Sequence, residues 1–194
     1  MIQAKKMGFD YIRRDEEGNV EEIQRALDDI NIEIKAGDFV AVLGKNGSGK
    51  SSIIKLILGE DISYTGDLFI QSNLVISYVN QDTSHLKGSL KDYIRENNIN
   101  EPLFKAVLRK MDFEREQFDK NIDSYSEGQK KKILLAKSIC DKANIYIWDE
   151  PLNYIDIYSR MQIEKIIKDY KLTMIFVEHD ESFSNDVATN TIEL

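Results

Sequence analysis

An α/β fold built on a mostly parallel central sheet is what this sequence predicts, on three observations. Short apolar runs recur at Phe39 to Leu43 (FVAVL), Leu74 to Val79 (LVISYV), Ile145 to Trp148 (IYIW) and Leu172 to Val177 (LTMIFV). Continuous runs of this kind are how strands covered on both faces read, whereas a half-exposed sheet alternates apolar and polar residues. Helix-like stretches lie between them, and that alternation points to a parallel sheet flanked by helices. No internal repeat or low-complexity block interrupts the 194 residues, so 1–194 reads as one domain with a helical insertion near 88–125.

Taken in order, the chain opens on an extended stretch, Ile2 to Phe9, followed by an acidic, turn-like segment (DEEGNVEE) at Asp15 to Glu22. Leu27, Ile30, Ile32 and Ile34 approach the period-two spacing of a half-buried strand. Ala36-Gly37-Asp38 turns the chain into FVAVL, and Gly44 to Gly49 is its most glycine-rich window. The helix-like SSIIKLIL then runs to Gly59, which stops it. Leu90 to Phe118 carries helix periodicity, and Gly128 to Asp141 reads as a strong amphipathic helix with Ile133, Leu134, Ala136, Lys137 and Ile139 along its buried edge and flanks. Within it, Lys130 to Lys132 reads as a solvated helix start, or as a basic triplet placed to meet a charged partner, and Cys140 as a small core residue. A further helix, Ile157 to Tyr170, joins the last two apolar runs.

Composition narrows the class. An apolar share of 42% is too high for a disordered chain, and one cysteine excludes an internal disulfide framework. No apolar run is long enough to cross a bilayer and the N-terminus lacks a signal-peptide core, so the expected compartment is the cytoplasm. With 26 Lys+Arg against 34 Asp+Glu the net charge is -8, which argues against broad adhesion to acidic lipid or nucleic acid. Direct DNA binding is not expected.

The sharpest chemical signal is Gly44-Lys45-Asn46-Gly47-Ser48-Gly49-Lys50-Ser51, which fits G-x-x-x-x-G-K-[ST] with a strand before it and a helix after it. Its glycines let backbone N–H groups turn inward around a phosphate, and the helix adds its positive N-terminal end. Lys50 would reach the β- and γ-phosphates, and the Ser51 hydroxyl would ligate magnesium. The second signal is the apolar strand ending in Asp149-Glu150. There Asp149 can hold magnesium through its water shell, and Glu150 can orient or activate the attacking water.

Together these pieces resemble the nucleotide-binding domain of the ATP-binding cassette (ABC) superfamily. Ser126-Glu127-Gly128-Gln129 is similar to the signature in which Leu-Ser-Gly-Gly-Gln is usual, with Tyr125 for the Leu and Glu127 for the first Gly. Gln81 matches the glutamine that senses magnesium and the attacking water, and His179 the switch histidine at the γ-phosphate. Asn153 to Asp156 matches the loop that crosses to the opposite subunit. Tyr11 takes the position of the aromatic that stacks on adenine, with Phe9 as second choice. The resemblance implies a P-loop NTPase of the ABC type, with an N-terminal antiparallel β portion and a small helical subdomain. It implies ATP contacts from Tyr11, Gly44, Asn46, Gly47, Ser48, Gly49, Lys50, Ser51 and Ser52. Magnesium would sit on Ser51, Gln81 and Asp149, and catalysis would fall to Glu150, His179, Gln81 and Lys50. Ser126, Glu127, Gly128 and Gln129 would face the ATP of a second cassette, so the isolated domain would be a weak ATPase. Glu127 leaves two readings open. Its charge weakens nucleotide clamping, or it turns outward and leaves Ser126 and the Gly128 amide to make the contact.

Lys50 to Gln81 is 31 residues and Gln81 to Ser126 is 45, which leaves room for a compact helical subdomain and none for a long coiled coil. From the phosphate loop onward, GEDISYTGDL, YSEGQKKKILLAKS and IYIWDEPLNYID resemble the second cassette of ABC-F proteins of the ribosome-protection kind. The first forty residues resemble the ATPase subunits of energy-coupling-factor importers, with a seam between 39 and 50. A chimera and a diverged natural chain both read this way. The partners implied are a second cassette (a homodimer or a paired domain) and either a ribosome or membrane transporter subunits. Two alternatives are a module that dimerises on nucleotide with little hydrolysis, and the motor subunit of an importer.

Overall fold

A computed structural model describes residues 1–45, 47–178 and 181–194, apart from the side chains of Glu181 and Ser182. The chain begins with two long strands, β1 (Ile2–Arg14) and β2 (Val20–Ile34), and then the short β3 (Phe39–Leu43) and α1 (Lys50–Ile57). β4 (Thr65–Ile70) and β5 (Ile76–Val79) precede the helices α2 (Leu90–Glu96), α3 (Glu101–Lys110) and α4 (Glu127–Cys140). β6 (Ile145–Asp149), α5 (Ile157–Tyr170), β7 (Met174–Val177), α6 (Glu181–Val187) and β8 (Asn190–Glu193) complete it.

Two sheets result. β2, β1 and β4 form an antiparallel sheet in that order, and β5, β6, β7, β3 and β8 form a parallel one. Side-chain alternation in the parallel strands feeds two cores. Phe39, Ala41, Trp148 and Phe176 pack with α4 and the helices before it, while Val40, Val42, Ile147 and Val177 pack with Ile53, Ile54 and Ile57 of α1. The antiparallel sheet adds Ile2, Met7, Leu27 and Ile34 to the second core. Both faces of the central strands are therefore buried, which is the physical reason they read as unbroken apolar runs.

The antiparallel portion departs from the sequence reading. The first strand continues past Phe9 to Arg14, and the acidic turn shrinks to Asp15–Asn19, where the Asp15 carboxylate accepts the amides of Glu17 and Asn19. Lys6 and Asp29 have φ of 51° and 52°, and the pairing register shifts around Lys6. Such irregularities break period-two patterning and bend the strand. After β5, α2, α3 and a short 3-10 turn, Arg115–Asp119, occupy the stretch with helix periodicity, and a second such turn, Ile122–Ser124, follows it.

Lys130 to Lys132 also require correction, because they are not a solvated helix start. Lys131 is 2% exposed and Lys132 8% exposed, and Lys132 pairs with Asp156 at 2.7 Å. Cys140 is half-buried against the core, and burial, with help from Asp141, pushes its thiol up to about 11, out of the reactive range.

Candidate active site

The loop after β3 is held open by glycine. Gly47 and Gly49 have φ of 84° and 94°, in the left-handed region that side chains rarely adopt, and a Cβ at Gly49 would run into Leu27. Gly49 is also the N-cap of α1 and supplies no side-chain acceptor, so the first amides of that helix lack a cap. Lys50 is 6% exposed, and its Nζ donates to the carbonyls of Gly44 (2.6 Å) and Lys45 (2.9 Å). Burial lowers its pKa, against the opposing fields of Glu150 and Asp149. Ser51 is exposed at the start of α1, whereas the Ser52 hydroxyl is buried and shares a 2.8 Å hydrogen bond with Tyr11. Among the described residues, Ser48 Oγ is a buried side-chain oxygen with no partner.

Parallel strands deliver the carboxylates to the same edge. β6 ends on Asp149, 8% exposed, whose pKa is raised by burial and by Glu150 and lowered by Lys131 and Lys50. Glu150 follows with φ of 46°, and its amide donates to the Val177 carbonyl of β7 at 3.0 Å. Its Oε2 accepts from Gln81 Nε2 and from Asn153 Nδ2, both at 2.6 Å. So the residues read as catalytic in the loops after β5 and β6 meet directly. Glu178, 4% exposed, accepts the Leu152 amide at 3.1 Å and fixes the loop that follows.

The α4 start is built differently. Ser126 is its N-cap, with Oγ accepting the Gln129 amide at 3.3 Å while Gln129 Oε1 accepts the Ser126 amide at 3.0 Å. Gly128 is needed for packing, since a Cβ there would strike the Tyr154 carbonyl oxygen. Glu127 accepts the Thr83 hydroxyl and pairs with Lys130 at 3.1 Å, and these two partners hold its carboxyl below the usual range.

Tyr11 lies on β1, 44% exposed, with its ring edge-on to Phe9 at 4.8 Å. Phe9 is 8% exposed, a core residue rather than a stacking surface. Asn46 and His179 lie outside the described residues. Sequence reasoning missed Thr83, Glu178 and Lys131. A signal for Lys131 existed, because it shares the buried stripe of Leu134, Leu135 and Ser138 at helical spacing.

The residues fit a magnesium nucleotide. The partnerless Ser48 hydroxyl and the uncapped α1 amides suit an anion. Ser51 lies exposed at the start of α1, and the Asp149 carboxylate ends β6 within the electrostatic reach of Lys50. These two oxygen donors suit magnesium, which takes one or two protein oxygens and completes its shell with phosphates and water.

A profile of the family described as "ABC transporter" matches residues 27–153. The chain belongs to the ATP-binding cassette family. Among its ABC relatives, the ATP-binding protein Uup of Buchnera aphidicola (subsp. Acyrthosiphon pisum) is 35% identical over 163 residues, 80% of this chain. ABC transporter F family member 5 of Arabidopsis thaliana is 27% identical and is matched over 100% of this chain. The ribosome protection protein VmlR of Bacillus subtilis is 31% identical over 159 residues, 79% of this chain. The chain spans only 27%, 30% and 28% of the lengths of these three proteins. A dimeric bacterial ABC transporter cassette, MJ0796, shares the fold at a TM-score of 0.80 and 20% identity, over 100% of this chain and 94% of that one. The fold is thus that of an ABC-type P-loop ATPase. No helix among the described residues is long and apolar enough to cross a membrane.

Proposed function

We propose that this chain is a cytoplasmic ATP-hydrolysing cassette of the ABC-F kind, working as one half of a head-to-tail pair. What carries the reading is the meeting of Lys50, Asp149, Glu150 and Gln81 at one edge of the parallel sheet, beside a glycine-rich loop in which the Ser48 hydroxyl has no partner among the described residues. Water attacks the γ-phosphorus in line, one P–O bond forms, the bond to the β,γ-bridging oxygen breaks, and ADP and phosphate leave. Lys50 and the loop amides from Gly44 to Ser52 hold the phosphates. Ser51, Asp149 and Gln81 would hold magnesium, which when bound would supply positive charge to the developing transition state. Glu150, braced by the amides of Gln81 and Asn153, orients the water and draws off its proton. Asn46 and His179 complete the set on the strength of the sequence, and Tyr11 offers its exposed ring to adenine.

Ser126, Gly128 and Gln129 face the ATP of the second cassette, with Glu127 held back by Thr83. The ABC-F assignment is supported by the names of the relatives, one of them a ribosome protection protein. A match that runs over the whole chain favours one diverged origin over a fusion of two parents. We therefore propose a ribosome as the larger partner. Two experiments test this. Glu150→Gln should bind magnesium ATP in calorimetry and run as a dimer in its presence, and a monomer under saturating nucleotide would count against the pairing. The same variant with ATP should sediment with ribosomes, and its absence from the ribosomal pellet would remove the ABC-F setting while leaving the ATP chemistry intact.

A further inference from the structure

Lys131 has no part in the reaction described so far, yet it is among the most completely buried large side chains. It sits on α4, one turn in from Glu127, and its Nζ donates to the carbonyl of Asn80 at 3.1 Å and to that of Asp149 at 3.2 Å. Those carbonyls stand at the ends of two neighbouring parallel strands, one step beyond the Val79–Trp148 pair. The next residue on each strand is Gln81 and Glu150, which are hydrogen-bonded to each other. One ammonium thus ties together the two peptides immediately before the two residues that handle the water.

We infer that Lys131 is a positioning residue for hydrolysis: an internal cation that pins the ends of β5 and β6 and so keeps Gln81 and Glu150 in register. The inference rests on the ATPase reading above. A purely space-filling role is poorly served by lysine, because an ammonium taken out of water costs several kcal/mol unless its surroundings compensate. Its neighbours on the buried stripe, Leu134 and Leu135, do that filling with apolar groups. Compensation for Lys131 comes from the two carbonyls and from the fields of Asp149, Glu150 and Glu178, which oppose the lowering of its pKa by burial. Asp149 and Glu150 are thereby served by two cations from different helices, Lys50 on α1 and Lys131 on α4. Lys50 belongs to the loop that would hold nucleotide, whereas among the described residues Lys131 bonds to two peptide carbonyls. Losing Lys131 should therefore slow the chemical step without loosening nucleotide.

The test compares wild type with Lys131→Met, which keeps the stem and removes the charge, and Lys131→Gln, which keeps a donor for one carbonyl and covers failure of the Met variant to fold. Expected are a kcat lower by about 30-fold or more, with KM for ATP and Kd for magnesium ATP within about threefold. Gln81→Ala added to Lys131→Met should slow turnover far less than it does in wild type, because both act on one contact. In the nucleotide-free protein, amide hydrogen exchange at Gln81 to Thr83 and at Glu150 should rise about tenfold or more in the variant. Unchanged kcat and unchanged exchange would overturn the inference, as would a Kd that rises in step with the fall in kcat. A wild type that binds no ATP or turns none over would instead remove the ATPase reading, and the exchange measurement would then decide the role of Lys131 alone.

Discussion

The starts of α1 and α4 are two helix N-termini that treat their amides in opposite ways. α1 begins on Gly49, with no side chain to cap it, a partnerless Ser48 hydroxyl beside it, and a lysine turned back onto its own loop. α4 begins on a reciprocal box between Ser126 and Gln129, with Glu127 tied to Thr83 and Lys131 to two strand ends. Helix amides without partners are expensive to hide and ready to take an anion. Amides already capped make a rigid edge that can present atoms to a neighbour. Under the function proposed above, the contrast separates a cradle for the chain's own phosphate from a scaffold that would position the hydrolytic residues and face a second cassette.

The largest effect expected from breaking this contrast is at Lys50. Lys50→Met should lower turnover by about 100-fold or more and weaken magnesium ATP in calorimetry. An unchanged Kd would mean that the loop does not hold phosphate. Next in size is Gly128→Ala, whose Cβ strikes the Tyr154 carbonyl and should cost about 1–3 kcal/mol in urea unfolding. Gly47→Ala, which meets no neighbour but must keep a φ of 84°, should cost about 1 kcal/mol. If the two cost the same, the α4 start is not packed as tightly as described.

The smallest effect concerns Asp156, the N-cap of α5 and the partner of Lys132. Burial pushes its carboxyl upward, but hydrogen bonds from Lys132 and Ser159 prevail and hold it well below its ordinary 3.8. A depressed carboxyl stabilises the fold above its unfolded pKa and loses that contribution as acid protonates the folded form. Asp156→Asn keeps the cap and removes the charge, so it should cost about 1 kcal/mol near neutral pH. The gap from wild type should close as pH falls below about 4 in acid unfolding curves. A gap that widens in acid would contradict the pairing.

What was legible in the sequence follows the same physics. FVAVL, IYIW and LTMIFV are buried on both faces, so their composition alone marks them as central parallel strands. β4 and β8 escaped notice because they are short edge strands with mostly exposed residues, and the part of β1 beyond Phe9 because its residues are mostly exposed and its bulges break the alternation. The phosphate loop was legible because its chemistry is local, with strand, glycines, lysine and helix in one stretch. Gln81, Glu150 and Asn153 could be named from a family pattern, but the Gln81–Glu150 hydrogen bond joins residues 69 apart and depends on strand register. Lys131 was misread because three consecutive lysines look solvated, while the helix turns the second onto its buried face.

The central claim is that this chain hydrolyses ATP as one half of a composite site. Specific ATPase activity measured over a hundredfold range of protein concentration tests it most directly. Activity per mole should climb with concentration and level off as pairs saturate, and should vanish at every concentration in Glu150→Gln. Activity per mole that stays flat across that range, or that survives in Glu150→Gln, would contradict the account.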